Sequence, residues 1–228
     1  MTSLIIVRYP RYLGWVGILS MAIFRIPLWF NRNISFWKLM GSGKNGTFDK
    51  TPDWRQWAIL LVNKKLDKHE TPVFFEYWWK FFHCEKWTIL LEPIEGHGLW
   101  DGEQPFGQLA KQTDYNGPIC ILTRATIRLQ KMHRFWSHVD AIAAQMAGAK
   151  GFITSVGIGE IPWIKQATFS IWTNREAMKA FAYQMKDHAE VVVKTKKENW
   201  YSEELFVRFK PLASFGSLNG DLPFEIKP

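Results

Sequence analysis

The peptide Ile5-Ile6-Val7-Arg8 recurs 116 residues later as Ile121-Leu122-Thr123-Arg124. Other positions follow the same alignment: Phe36, Gly41 and Gly43 match Phe152, Gly157 and Gly159 at offset 116, and residues 87–93 and Gly98 match residues 205–211 and Gly216 at offset 118. Because the offset changes so little over this length, the matches indicate an internal duplication of the chain.

Each copy predicts the element order βαββαβ from its apolar spacing and its turn residues. In the first copy, the pattern predicts strands at 3–9, 34–41, 54–62 and 86–93 and helices at 13–25 and 70–83. In the second copy, it predicts strands at 118–127, 151–158, 164–172 and 203–210 and helices at 133–148 and 174–199. This order is the ferredoxin-like unit. We therefore expect an α+β protein, with repeats at 1–101 and 118–228 and a linker at 102–117.

Two such units in one chain predict the α+β barrel that other proteins build by dimerising, with room between the sheet and the helices. The final helix of the second copy is longer than its counterpart, so the two halves are not equivalent. Closing the barrel within one chain reduces the need for dimerisation without forbidding a homo-oligomer.

Composition sets the broad class of the protein. The chain has 228 residues, is 47% hydrophobic and contains 13 Trp and 17 Phe. This aromatic content suits either a Trp-rich core or an apolar ligand pocket, and composition does not decide between them.

The formal net charge of +8 favours anionic partners such as a propionate, a phosphate or an anionic membrane face. The basic residues are dispersed apart from Lys194, Lys196 and Lys197, which is typical of a solvated helix face. Motifs for nucleic-acid binding are absent, so we expect no nucleic-acid partner.

Localisation is predicted from the cysteines and the N-terminal apolar stretch. Cys84 and Cys120 are too few for a disulfide framework and have no CxxC spacing, which favours the cytoplasm. Residues 13–24 imitate a signal peptide, but no small-residue cleavage site follows and the duplication makes them a crossover helix. We expect a cytoplasmic protein, with peripheral association at the inner face of the membrane compatible with its charge.

Several common chemistries are excluded by spacing. Gly41-Ser42-Gly43-Lys44 lacks the phosphate-loop pattern, and HExxH and GxSxG are absent. His133 and His138 lie about 140° apart on a helix, so they do not converge on one metal ion.

His188 lies in the predicted helix 174–199, on a stripe with Phe181, Gln184 or Met185, Val191 and Val192 at helical spacings. A histidine on such a stripe has the geometry of a proximal haem ligand. The alternative is a core histidine that is hydrogen-bonded to a neighbouring group, and spacing leaves both open.

Five strings, in the same order and covering nearly the whole chain, resemble the spheroidene monooxygenase family of carotenoid 2-ketolases. They are residues 37–43 (WKLMGSG), 122–128 (LTRATIR), 157–162 (GIGEIP), 169–172 (FSIW) and 203–209 (EELFVRF). His188-Ala189-Glu190 and Glu198-Asn199-Trp200 also resemble family strings, although Asn199 replaces the usual glycine.

The resemblance implies a haem b enzyme that uses oxygen to convert an acyclic carotenoid to a ketone through a hydroxylated intermediate. His188 would be the iron ligand. Arg124 and Arg128 would reach a haem propionate or the distal side, unless they form ordinary ion pairs, and Met185 and Trp172 would contact the cofactor. Oxygen and an apolar small molecule are then the expected partners.

Other functions remain compatible with the same barrel. One is a haem enzyme of the aldoxime dehydratase or peroxidase type that acts on another small apolar substrate. A second is a haem-binding or haem-transfer protein without turnover, and a third is a basic module that binds lipid surfaces.

Overall fold

The computed structural model describes residues 1–44, 51–65, 70–184, 194–195 and 197–226. Its strands are β1 (Thr2–Arg8), β2 (Ile34–Gly43), β3 (Pro52–Asn63), β4 (Glu85–Gly98), β5 (Ile119–Ile127), β6 (Phe152–Ile161), β7 (Lys165–Trp172) and β8 (Tyr201–Gly216). Its helices are α1 (Gly14–Ile23), α2 (Arg25–Phe30), α3 (Val73–Phe81), α4 (Met132–Ala147) and α5 (Arg175–Lys179), with a π-helical turn at Ala180–Gln184.

The strands form one closed antiparallel barrel in the order β1-β3-β2-β6-β7-β5-β8-β4. The first half contributes β4-β1-β3-β2 and the second contributes β8-β5-β7-β6, which is the same arrangement of strands. The halves meet at two antiparallel seams, where β2 pairs with β6 and β4 pairs with β8. The predicted α+β barrel of two ferredoxin-like units is therefore confirmed.

Details of the β4–β8 seam support the alignment of the two copies. Ile94 and Leu212, which are 118 residues apart, both fall at breaks in the pairing register. Gly98 and Gly216 have φ angles of 93° and 90°, and a Cβ on either would collide with a carbonyl oxygen of the facing strand. Only glycine fits these two strand ends.

A tight turn near each end of the barrel extends the repeat beyond the matches found in the sequence. Residues 100–103 and 218–221 each form a turn in which both central residues have positive φ, as in type I′ turns. Phe106 and Phe224 follow at equivalent positions and pack against the side chains inside the barrel. The first of these turns reaches into the segment 102–117 that we expected to be a linker.

The interior of the barrel is a packed core. Its buried apolar side chains come from all eight strands and include Leu4, Ile6, Met40, Leu60, Ile89, Leu122, Ile158, Phe169, Val207 and Phe209. The expected space for a ligand therefore does not lie in the lumen, and the faces outside the sheet are the places to look for it.

The outer face of the first half is filled and covered by α1, α2 and α3. Its cluster contains Ile5, Val7, Tyr9, Val16, Phe24, Leu28, Ile34, Ile59, Leu61, Phe75 and Trp79. Phe24 stacks on Phe75 with ring centroids 3.9 Å apart, and α1 approaches β3 so closely that a Cβ on Gly17 would collide with the Trp57 ring.

The segment Arg11–Phe30 is long and apolar enough to cross a membrane by length and composition. In the barrel it forms α1 and α2, and part of it is buried against β3. The predicted crossover helix is thus present, with a break at Phe24 between its two parts.

Candidate functional site

The outer face of the second half is lined with small side chains where the first half has large ones. The pairing register shows which positions of the two halves correspond. For example, Val7 pairs with Trp57 in the first half, and Thr123 pairs with Thr168 at the same place in the second. The small residues Thr123, Ala125, Ser155, Thr168 and Ser170 thus take the places of Val7, Tyr9, Leu39, Trp57 and Ile59. We refer to these five small residues as the cleared face.

The helix above the cleared face also differs from its counterpart. In the first half, Gly14 and Gly17 let α1 approach the sheet. Aligning the short 3-10 turns that precede the two helices places Met132 and Phe135 of α4 at these positions. Since larger side chains hold a helix farther from a sheet, this exchange adds to the room left by the small residues.

Apolar clusters bound the cleared face at both ends. Trp172 lies at one end and packs against Phe152 and Phe181, with ring centroids 5.4 and 5.2 Å away. At the other end, Phe135 and Trp136 of α4 pack with Ile127, Val139 and Trp200. The first half has one continuous cluster on its outer face, whereas the second half has two with small residues between them.

The floor of the cleared face carries hydroxyl groups. The buried Oγ of Ser155 and Oγ1 of Thr168 have no hydrogen-bond partner within the described part of the chain. The Ser170 hydroxyl accepts a hydrogen bond from Nε1 of Trp172 at 3.0 Å. A buried hydroxyl without a partner costs about 1–3 kcal/mol, so these two groups favour an additional occupant that offers them a partner.

The chain that follows β7 leads onto this face through an irregular helix. Asn174 caps α5 by accepting a hydrogen bond from the Ala177 amide, and the helix changes to a π-helical turn at Ala180–Gln184. Such turns are rare and are frequently found at functional sites. Phe181, within this turn, faces the sheet beside Trp172.

No family model matches the chain. It is 34% identical over 220 residues to a protein of Rhodobacter capsulatus named spheroidene monooxygenase, covering 94% of this chain and 90% of that protein. The chain belongs to the spheroidene monooxygenase family. A Cereibacter sphaeroides protein of the same name is 36% identical over 194 residues, and the match spans 82% of this chain but 59% of that protein's length.

Solved structures support the fold of this family member. An aldoxime dehydratase in complex with butyraldoxime aligns with a TM-score of 0.58 at 9% identity, over 92% of this chain and 79% of the other. A second aldoxime dehydratase structure aligns with a TM-score of 0.56 at 8% identity, over 92% of this chain and 80% of that one. At such low identity the likeness shows the shared barrel alone.

Arg124, which the family resemblance suggested for the cofactor, points into the lumen. It is 1% exposed, and its guanidinium binds Glu203, Asp101 at 3.0 Å and Glu160 at 3.6 Å. Asp101 also binds Lys165 at 2.6 Å. Arg124 therefore lies at the centre of an ion network at one end of the barrel, on the opposite side of the sheet from the cleared face.

This network changes the titration of Asp101. Burial raises the pKa of its carboxyl, but hydrogen bonds from Lys165 and Lys38 outweigh burial and lower the pKa to about 2. Asp101 is therefore ionised at neutral pH. The network closes the barrel end with matched charges of opposite sign.

The other predicted site residues lie in different places. Arg128 follows the end of β5, is exposed, and donates from Nε to the Tyr201 carbonyl at 3.3 Å, so it does not join Arg124. Trp172 borders the cleared face. His188 and Met185 lie outside the described residues, and their roles stay predictions. Within the described ranges, no group of three or more metal-ligating side chains occurs.

Sequence reasoning missed a second buried ion cluster. Glu95 of β4 is 1% exposed and binds Arg175 of α5 at 2.5 Å and Arg208 of β8 at 2.6 Å. Thr113, in the segment between the halves, donates to the same carboxylate from its amide and its hydroxyl. Through the Arg175–Glu95 ion pair, this cluster links the start of α5 to β4 of the first half.

Sequence reasoning also missed the cleared face itself. A signal for part of it was present, because the offset of 116 aligns Val7 with Thr123 and Leu39 with Ser155. In both alignments, an apolar residue of the first half corresponds to a small polar residue of the second half.

Proposed function

We propose that the chain is a haem-dependent monooxygenase that binds haem over the cleared face and converts an apolar acyclic polyene of the carotenoid class to a ketone. The observation that carries the proposal is the difference between the two outer faces, one filled with large side chains and one cleared. Membership of the spheroidene monooxygenase family supports the reaction class and the type of substrate.

The described residues fit a flat apolar group with polar edges. Small side chains provide a floor, Trp172 and Trp136 provide aromatic walls at its two ends, and the free hydroxyls of Ser155 and Thr168 can bind a polar occupant. Ligand sites commonly combine an apolar lining with a few polar groups in this way. Haem, when bound, supplies the activation of oxygen or peroxide.

His188 is the proposed iron ligand. It lies seven positions after Phe181, whose ring packs beside Trp172 at the edge of the cleared face. The sequence predicts one helix, at 174–199, through both positions, and residues seven apart on a helix share a face. The π-helical turn just before it supports a functional role for this part of the chain.

Arg128 is the proposed partner of a haem propionate. It is exposed, and its guanidinium donates from Nε to the Tyr201 carbonyl oxygen, so its two terminal nitrogens can bind a carboxylate. Arg124 does not keep this role in the proposal because three carboxylates of the lumen already surround it.

The first experiment measures haem binding by titrating the purified protein with hemin and recording the Soret band. Ser155→Leu restores the bulk that Leu39 provides in the first half, so we expect it to reduce haem affinity at least tenfold. Ser155→Ala removes the hydroxyl without adding bulk and is the matched control, expected to bind within a few-fold of wild type. Equal binding by Ser155→Leu and the control would place haem elsewhere.

The second experiment identifies the ligand and the activity. His188→Ala is expected to shift or abolish the Soret band, and an unchanged spectrum would move the ligand to another residue. Pigment analysis in a host that makes lycopene or spheroidene is expected to show a keto-carotenoid with the wild type and none with His188→Ala. Stoichiometric haem without any pigment change would favour a non-catalytic haem protein or a haem enzyme with another substrate.

A further inference from the structure

The outer surface of the α1–α3 helical layer exposes large apolar side chains to solvent. Trp15, Trp29 and Phe30 of α1 and α2 and Tyr77 and Phe81 of α3 are exposed, with Trp29 at 67% and Phe30 at 81%. The helices meet at Phe24, which stacks on Phe75, so these side chains belong to one layer. Monomeric soluble proteins rarely expose contiguous apolar surface on this scale, and such patches mark binding sites for proteins or membranes.

The second half provides an internal comparison. Its crossover helix α4 exposes His133, Arg134, Ser137, Ala141 and Ala144, which are polar or small. Two helices at equivalent places in one fold thus differ in the surface that they show to solvent. Packing on the barrel does not require the exposed aromatic residues of the first half.

The charges in the layer favour a negatively charged partner. Arg11, Arg25 and Arg32 are exposed and flank α1 and α2, and the chain has no Asp or Glu from Arg11 to Arg32. In α3, the carboxylate of Glu76 is neutralised by Lys86 at 2.6 Å. A second copy of this chain would bring the same arginines face to face, which disfavours a symmetric dimer through this layer.

The layer is oriented to lie flat on a surface. One side of α1 and α2 is buried against the barrel through Val16, Gly17 and Leu28, so these helices are not free to cross a bilayer. Helices that lie in the membrane interface combine aromatic and aliphatic side chains with flanking Lys or Arg. Tryptophan and tyrosine are enriched at the level of the lipid headgroups.

We propose that the α1–α3 layer docks on the surface of a lipid bilayer that contains anionic lipids. The exposed aromatic residues enter the headgroup region, and the three arginines bind lipid phosphates. Docking would keep the protein where apolar polyenes dissolve. The cleared face lies on the opposite half of the barrel, so docking leaves it uncovered.

Vesicle flotation tests the proposal with the purified chain of 228 residues. We expect binding to vesicles of phosphatidylcholine and phosphatidylglycerol in a two-to-one ratio, and weaker binding to phosphatidylcholine alone. Each arginine near an anionic surface contributes about 1 kcal/mol, so Arg25→Gln should weaken binding about fivefold. Equal binding to both kinds of vesicle would overturn the role of anionic lipid.

The apolar contribution is tested by the double variant Trp29→Ser/Phe30→Ser. Burying each of these side chains is worth about 1.5–3 kcal/mol, so even partial insertion predicts at least a tenfold loss of binding. Leu129→Ser is the matched control, because Leu129 is 66% exposed and lies outside the layer. Undiminished binding by the double variant would overturn the proposal.

Two other outcomes would also overturn the proposal. If the protein binds no vesicles but forms concentration-dependent dimers that the double variant abolishes, the layer is an interface between copies. If it neither binds vesicles nor dimerises, the layer does not bind lipid. These measurements need neither haem nor substrate, so the docking proposal and the oxygenase proposal fail separately.

Discussion

Replacing Glu95 by glutamine should destabilise the barrel in a strongly pH-dependent way. Burial alone raises the pKa of this carboxyl, but hydrogen bonds from Arg175, Arg208 and Thr113 outweigh burial and lower the pKa from 4.5 to about 2. Because each pKa unit is worth about 1.4 kcal/mol, the ionised carboxylate contributes about 3 kcal/mol to folding at neutral pH. In Glu95→Gln the buried guanidinium of Arg175 and the partly buried one of Arg208 lose their counter-charge, so we expect a total loss of about 3–5 kcal/mol.

The sign of the pH dependence follows from the lowered pKa. The folded state holds the Glu95 proton more weakly than the unfolded state, so this stabilisation is present above about pH 4.5 and is lost as the pH falls towards 2. The stability difference between wild type and Glu95→Gln should therefore be constant from pH 7 to 5 and shrink below pH 4.5.

Urea unfolding followed by tryptophan fluorescence at several pH values measures this difference. Glu92→Gln is the matched control, because Glu92 lies on the same strand but is exposed, and it should change stability by less than about 0.5 kcal/mol. A difference below about 1 kcal/mol at pH 7, or one that does not shrink on acidification, would refute the reasoning.

Three further perturbations test the core and the barrel end. Arg124→Met leaves three carboxylates together without their central cation, so the melting temperature at pH 7 should fall by roughly 10 °C in thermal unfolding, and an unchanged value would contradict the network. Gly17→Ala places a methyl group against the Trp57 ring and should cost about 1–3 kcal/mol in urea unfolding, whereas a gain from helix propensity would show that the contact is loose. Burial raises the pKa of the half-buried Cys84 thiol to about 12 and raises that of the fully buried Cys120 as well, so at pH 8 Cys84 should react slowly with a thiol reagent and Cys120 should react only after the protein is denatured; fast labelling of Cys120 would argue against its burial.

Much of the fold could be predicted from the sequence because the duplication aligns the elements of one half with those of the other. Two strands were predicted too short, since β4 and β8 continue past Pro93 and Pro211 to Gly98 and Gly216. Proline usually ends or interrupts a strand, but both prolines lie beside the irregularities in the β4–β8 pairing. The helix predicted at 13–25 also continues, after its break at Phe24, as α2.

The candidate site was harder to predict because it depends on how strands pair. An offset of 116 aligns β2 with β6, but the register aligns Ile59 of β3 with Ser170 of β7, an offset of 111. The connection between β2 and β3 is longer than that between β6 and β7, which shifts the alignment. Sequence comparison at one fixed offset therefore does not show that Ser170 takes the place of Ile59.

Ion pairs were one of the two roles that the sequence left open for Arg124, but the partners in the two ion clusters were not predicted because they are far apart in the sequence. Glu95, Arg175 and Arg208 come from β4, α5 and β8, and closure of the barrel brings them together. Arg124 was predicted as a site residue, but only the pairing of β5 shows that its side chain points into the lumen.

Carrying both copies in one chain has an evolutionary consequence. A barrel assembled from two identical subunits receives every substitution twice, so a change that clears one outer face clears the other as well. In a fused barrel each copy accumulates its own substitutions, as Ser170 and Ile59 illustrate at equivalent places in the sheet. Fusion therefore allows one outer face to be filled beneath an aromatic surface while the other is lined with small residues, a difference that two identical subunits could not have.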